Sequence, residues 1–146
     1  MSALALTLLG IMAGIAGAAG FSPTVADALG SAKHIYIATI RADGTQSKVV
    51  PVWFMVDGGA LYFTTTPDSH KVRRIRRGSP LLVWVGSPDG PHFRGHAELL
   101  DDPAVAEKMA PAYDQKYWIS WLGFFRPRPE RVRAGKTLLV RVTPTS

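Results

Sequence analysis

The sequence predicts a small, mainly antiparallel β-barrel with short helices. Three observations predict it. Short runs alternate apolar and polar residues with the period of a strand. Asp-Gly turn signals at Asp43-Gly44 and Asp57-Gly58-Gly59 separate the first of those runs. The 146 residues suffice for one compact domain, and a 47% hydrophobic content supplies its core. Six strands and three short helices are expected, and closure of the sheet removes its exposed edges.

The first helix starts at Ser22, an N-cap followed by Pro23 at the first helical position. It runs to about Leu29 and ends at Gly30. In "KHIYIATIR", Ile35, Ile37 and Thr39 face one side; His34, Tyr36, Ala38 and Ile40 face the other. Such a strand is buried on much of both faces. Ser47 to Val56 reads as a second strand, in which Pro51 demands an edge position or a local break. Ala60 to Thr66 is the third, so residues 33–66 form an antiparallel meander. Thr66-Pro67-Asp68 opens a helix with Thr66 as cap, ended by Gly78. Val72 and Ile75 face the core, while Lys71, Arg74 and Arg77 lie on another stripe. "PLLVWVG" is a central fourth strand and "GPHFRGHAELL" a fifth. Asp101-Asp102-Pro103 begins a helix broken or kinked at Pro111. "KYWISWLGFF" is rich in aromatic residues, "RPRPERVRAG" is a loop, and "KTLLVRV" is the last strand.

Residues 1–20 stand apart from the domain expected over 21–146. Ala3 to Phe21 holds only apolar residues, Gly and one Thr. As a helix its 19 residues reach roughly 28 Å, near the minimum for a bilayer. The run lacks a basic start, and its six Ala and four Gly make it only modestly hydrophobic. A weak membrane anchor or signal, a segment packed on the domain and an upstream start-site extension all fit it. The expected location is cytoplasmic, with membrane contact through this segment under the first of these.

There is no cysteine, which excludes disulfides, thiolate catalysis and Cys-based metal centres. Nucleophile elbows, Walker loops and His-Glu-x-x-His motifs are absent. His92 and His96 fall in a strand, where positions four apart lie about 13 Å from each other. No metal site is expected. The net charge of +6 suits an anionic partner, and five of the seven residues from Lys71 to Arg77 are basic. These charges surround one helix, and no strand carries an RNA-binding signature, so nucleic acid is not the expected partner.

The stretch "LYFTTTPDSHKVRRIRR" carries the chemistry. Thr64, Thr65, Thr66 and Ser69 offer hydroxyl donors, and the helix start offers free N–H groups and the positive end of its dipole. Lys71 adds a full charge. An anion such as phosphate would meet all three. A plain N-cap on a solvated basic helix is the alternative.

Taken with "IATIRADG" and "VVPVWF", this stretch resembles the pyridoxamine 5′-phosphate oxidase-like split-barrel superfamily of flavin and deazaflavin oxidoreductases. The resemblance covers residues 33–100 and extends to "KYW" and "LLVRVTP", but not to residues 1–20. It implies a six-stranded split barrel that dimerises, with cofactor in grooves between protomers. It places Val50, Pro51, Val52 and Trp53 beside an isoalloxazine-type ring. It assigns Thr64, Thr65, Thr66, Ser69 and Lys71 to the cofactor phosphate. True pyridoxamine phosphate oxidases carry Arg-x-Val-Leu-Leu-Lys on the second strand. Here Val49-Val50-Pro51-Val52-Trp53-Phe54 stands there, and both charged positions are apolar. That argues against pyridoxamine phosphate oxidation, and Lys71 and Arg74 are left to compensate. The "PVWF" version is closer to the branch with coenzyme F-420 reductases. Hydride transfer between bound FMN or F-420 and a small oxidised substrate is the implied activity, and a non-catalytic cofactor- or haem-binding barrel is the alternative. Tyr36, Trp53, Trp84 and the aromatic cluster 117–125 are candidates for the substrate side, or else ordinary core and dimer contacts.

Overall fold

The computed structural model describes residues 20–117 and 126–145. The expectations for residues 1–20 and for Trp118, Trp121, Phe124 and Phe125 therefore lie, apart from Gly20, outside the described residues. Among the described residues, no helix is long and apolar enough to cross a membrane.

Helix α1 spans Pro23–Ser31, and the Ser22 hydroxyl accepts from Val25 N as an N-cap. It ends one residue beyond the expected Gly30. Strand β1 is Ile35–Ala38. The expected second strand is two strands, β2 (Val50–Val52) and β3 (Met55–Asp57), interrupted at Trp53-Phe54. Strand β4 is Ala60–Thr65. Gly58 (φ 59°) and Gly59 (φ 79°) both sit at positive φ, as the tight β3–β4 hairpin requires. Helix α2 is His70–Arg76, followed by β5 (Leu81–Val85) and β6 (His92–Leu100). Helix α3 is Pro103–Lys116, α4 is Pro129–Arg133 and β7 is Leu138–Pro144.

Seven strands, not six, make one antiparallel sheet in the order β2-β1-β5-β6-β7-β4-β3. The expected meander over residues 33–66 does not form. Strand β1 pairs with β2 and β5, whereas β4 pairs with β3 and β7. The two edge strands, β2 and β3, are joined through only Trp53 and Phe54. Three Cα–Cα steps reach at most roughly 11 Å, so the two edges must come together. The sheet curls into a split barrel that is closed by the chain itself. Pro51 sits on edge strand β2, where its missing N–H costs no ladder bond.

Ile35, Ile37, Leu61, Phe63, Leu81 and Val83 fill the interior of the curl. Val25 and Leu29 of α1 and Ile75 of α2 join that core. A second core, with Met109, Tyr113 and Leu139, lies beneath α3 and α4.

Other expectations are corrected. The second helix is capped by Ser69, not Thr66. Thr66–Ser69 is instead a turn, with Ser69 N donating to Thr66 O at 3.2 Å and Pro67 at its second position. The Ser69 hydroxyl accepts from Val72 N. The helix ends at Gly78 in a Schellman arrangement: Gly78 N bonds Ile75 O, Ser79 N bonds Arg74 O, and Gly78 has φ 94°. Pro111 does not break α3, which is continuous from Pro103 to Lys116. Pro111 is exposed, so the carbonyl that loses its helical donor can turn to water. The loop expected at 126–135 contains the helical turn α4.

Candidate functional site

Strand β2 borders two clefts. The first, about 390 Å³, lies between β1, the β1–β2 loop and α2. Its polar wall gathers Arg41, Lys48, Lys71 and Arg74, with His70 and Ser69 beside them, and no carboxylate of the described residues lines it. Four cations, of which Arg41 alone feels a nearby carboxylate at Asp43, form an anion-attracting cradle.

Side-chain hydrogen bonds build the cradle. The Lys71 ammonium donates to Thr65 Oγ1 at 3.3 Å, and Thr65 Oγ1 lies 3.2 Å from Ser69 Oγ. Burial holds the Lys71 pKa below the usual lysine range, since charge is costly away from water. An anion beside it would offset that cost. The guanidinium of Arg74 donates to Thr39 Oγ1 at 3.3 Å. Thr39 N in turn donates to Ser47 Oγ at 2.9 Å. Arg41 spends part of its guanidinium on Gln46 O at 2.6 Å, which shapes the loop. Ser79 Oγ accepts from Ile40 N at 2.9 Å and ties the end of α2 to the segment after β1.

The second cleft, about 340 Å³, is lined by His34, Pro51, Val52, Trp53, Thr64 and Tyr113. Trp53 is held on every side. Its indole stacks on Tyr117, with centroids 4.1 Å apart and planes 3° off parallel, and meets Tyr113 edge-on. Trp53 Nε1–H donates to His34 Nε2 at 3.2 Å.

Two tyrosines satisfy the backbone of the crossing segment. Tyr113 Oη donates to Trp53 O at 2.9 Å. Tyr117 Oη accepts from Phe54 N at 3.2 Å and donates to Lys33 O at 2.6 Å. Trp53 and Phe54 lie between two strands, and the tyrosine hydroxyls meet these groups there. Burial raises the Tyr113 pKa well above its ordinary value and pushes Tyr117 up to about 12. Both remain phenols at neutral pH and keep their donor protons.

The sequence-predicted residues thus divide. Val50, Ser69, Lys71 and Arg74 line the first cleft, and Thr65 supports it from beneath. Pro51, Val52, Trp53 and Thr64 line the second. Thr66 is exposed in the turn, and its carbonyl is taken by Ser69 N. The expected helix dipole is a small contributor, because α2 starts only at His70 and has seven residues. Tyr36 and Trp84 are cross-strand partners on β1 and β5 and line neither cleft. Tyr117 is a buried clamp rather than a cleft wall. Sequence reasoning missed Thr39, Arg41, Ser47 and Lys48 in the first cleft, and His34 and Tyr113 in the second. The "R-x-D-G-T-x-S-K" loop was the available signal for the first group. No local signal marked the second.

Comparison with known proteins places this geometry. A family model described as pyridoxamine 5′-phosphate oxidase matches residues 21–146, and the chain belongs to that family. Among solved structures it is similar to an F420 reductase at 27% identity, covering 82% of this chain and 92% of the other with a TM-score of 0.58. It is also similar to the conserved hypothetical protein Rv2991 of Mycobacterium tuberculosis at 21% identity, covering 86% and 82%, with a TM-score of 0.64. The heme storage protein HutZ of Vibrio cholerae matches at 12% identity over 86% and 90%, with a TM-score of 0.60. The last two likenesses concern the fold alone. Nothing among curated proteins matches the chain.

Proposed function

We propose that this chain is a flavin- or deazaflavin-dependent oxidoreductase that transfers a hydride between its cofactor and a small oxidised substrate. One observation carries the proposal. A cradle of four cations opens beside edge strand β2, next to a cleft walled by Trp53 and Tyr113. The donor set fits a cofactor phosphate. Lys71 and Arg74 would hold it, with Ser69 and Thr65 as hydroxyl partners and Arg41 and Lys48 closing the far side. These cations stand in for the two charged positions that "VVPVWF" lacks, and that lack argues against pyridoxamine phosphate as substrate. The 27% identity to an F420 reductase favours the deazaflavin over FMN.

When bound, the ring supplies the hydride chemistry. The protein's part is to bind, orient and exclude water. An edge strand leaves the backbone groups of one side without a strand partner, so β2 has donors and acceptors for a planar ring at Val50 to Val52. Trp53, fixed by His34 and Tyr117, gives the second cleft a rigid aromatic wall. No side chain need move a proton.

A homodimer that completes these clefts is part of the proposal. Half-buried Tyr36 and Trp84, neighbours across β1 and β5 and next to Pro51 of β2, supply an apolar outer face for it. Light scattering on the chain from Phe21 onward should give a dimer. A monomer with full cofactor affinity would remove the two-protomer site.

The deciding experiment titrates the purified protein separately with FMN, coenzyme F-420, riboflavin and haemin. Saturable binding of a phosphorylated ring compound, with riboflavin much weaker, is expected. Haemin binding with a Soret band and no flavin binding would replace this reading with a haem-binding barrel.

A further inference from the structure

Lys116 ends α3 away from both clefts described above. Its ammonium lies 3.1 Å from the centroid of the Phe54 ring and 5.5 Å from that of Tyr117. It lines a small third cleft of about 230 Å³ with Gly30, Ala32, Phe54, Met55 and Ala112. Lys33 lines the same cleft, and its own ammonium donates to Lys116 O at 3.1 Å. Among the described residues, no carboxylate lines this space. Two amines thus share one recess, walled in part by Phe54, Met55 and Ala112. One of them, Lys116, is half-buried against aromatic faces, and the other, Lys33, is exposed.

We propose that Lys116 is an acylation site for small acyl phosphates, with Lys33 holding the donor's phosphate. The uncharged Nζ attacks the acyl carbonyl carbon. A C–N bond forms, the C–O bond to phosphorus breaks, phosphate leaves, and the nitrogen releases a proton to water. The product is a neutral amide, which ends the charge repulsion with Lys33. Small neighbours, Gly30, Ala32 and Ala112, leave room for a short acyl chain. An acyl phosphate suits the recess because its leaving group is anionic and Lys33 is a cation at its mouth.

The electrostatics supports this geometry. Burial, and then the nearby Lys33 charge, lower the Lys116 pKa from the ordinary 10.5 to about 8. At pH 7.5 roughly a quarter of such amines are uncharged, against roughly one in a thousand for an ordinary lysine. Lys108 is the internal contrast, because Asp57 at 2.6 Å holds its ammonium and raises its pKa.

The test incubates the full chain with acetyl phosphate from pH 6.5 to 9 and follows each lysine by peptide mass spectrometry. Lys116 should be acetylated at least about tenfold faster than exposed Lys136 or paired Lys108 at pH 7.5. Its rate should level off above about pH 8. A Lys116 rate equal to or below that of Lys136 overturns the proposal. In Lys33→Gln, the acetyl phosphate rate at Lys116 should fall several-fold more than the rate with the uncharged ester N-hydroxysuccinimidyl acetate. Equal slowing with both reagents would overturn the assignment of acyl phosphates and of Lys33 as their phosphate holder.

Discussion

The cationic cleft and the tyrosine clamp lie at the two ends of strand β2 and are built by different means. The Lys71 corner of the cleft is assembled from neighbours in sequence. Thr65, Ser69, Lys71 and Arg74 fall within ten residues, and its hydroxyl and ammonium groups meet by bonds between residues four and six apart. The clamp is assembled across the whole fold. Tyr113 reaches Trp53 over a separation of 60 residues, and Tyr117 reaches Phe54 and Lys33 over 63 and 84. The cleft concentrates like charge, which favours a ligand and costs stability. The clamp satisfies buried backbone groups, which favours the fold and offers a ligand little. Binding and stability should therefore separate under mutation.

The largest effect is expected at the clamp. In Tyr117→Phe, buried Phe54 N–H loses its acceptor and Lys33 O its donor. An unsatisfied buried group costs about 1–3 kcal/mol, and the exposed Lys33 end can recover water. Combining Tyr113→Phe with Tyr117→Phe should cost about 2–5 kcal/mol in urea unfolding, less than additively because both act on one segment. Affinity for inorganic phosphate should be unchanged in the variants that fold. A double variant as stable as the parent would show that the crossing segment does not need the two hydroxyls.

The next effect belongs to the cleft. Lys71→Ala removes the one ammonium bonded to the hydroxyl network. A charge-assisted hydrogen bond is worth about 1.5–3 kcal/mol, so phosphorylated flavin or deazaflavin should bind roughly ten- to a hundredfold more weakly. Riboflavin should be nearly unaffected. Equal loss for riboflavin and FMN would mean that Lys71 does not meet the phosphate. Stability should hold or rise slightly, since a partly desolvated charge is removed.

The same contrast explains what the sequence could and could not disclose. Ser22-Pro23, Asp57-Gly58-Gly59 and Gly78 act within a few residues, and each marks its element edge to within a residue or so. Ser69 and Thr66 are both competent caps three residues apart. Pro67-Asp68 fits a turn as well as a first helical turn, so local chemistry left that start open. The seventh strand was hidden because Val49 to Val56 is one apolar run with no turn residue at Trp53-Phe54. It breaks because the chain must cross between the two sheet edges there. The Lys71 cradle was legible from "TTTPDSHK", but the contributions of Arg41 and Lys48 depended on where the β1–β2 loop folds. His34, Tyr113 and Tyr117 became a unit only through tertiary contact.

A smaller effect tests the electrostatics at the edge of the clamp, where Lys116 sits over Phe54. Its pKa is about 8 when folded and 10.5 in the ordinary state. Below pH 8 both states are protonated, and the folded one bears the full penalty. Between about pH 8 and 10.5 the folded chain releases the proton while the unfolded chain keeps it. Stability should therefore rise with pH across that window. Partial exposure and screening reduce the gain to about 1 kcal/mol. Unfolding of wild type and Lys116→Met, compared from pH 7 to 10, isolates it. The difference between them should shrink as pH rises. A constant difference would mean that the amine titrates alike in both states.

The smallest effect is expected at Arg73, and it bounds the cleft. Arg73 lies between Lys71 and Arg74 in sequence, but its side chain is exposed and turns toward Asp68 O at 3.5 Å. It does not line the cationic cleft. Positions two apart on a helix do not share a face, so Arg73 cannot substitute for Lys71. Its charge still contributes to the general basic field, which salt screens within about 10 Å at 0.1 M. Arg73→Ala should leave the folding free energy within about 0.5 kcal/mol of the parent. At 0.1 M salt or above it should weaken a phosphorylated cofactor less than about twofold. At low salt the loss should grow modestly. A tenfold loss at 0.1 M salt would show that the basic helix attracts anions as a whole, and the distinction between a built cradle and a solvated basic face would disappear.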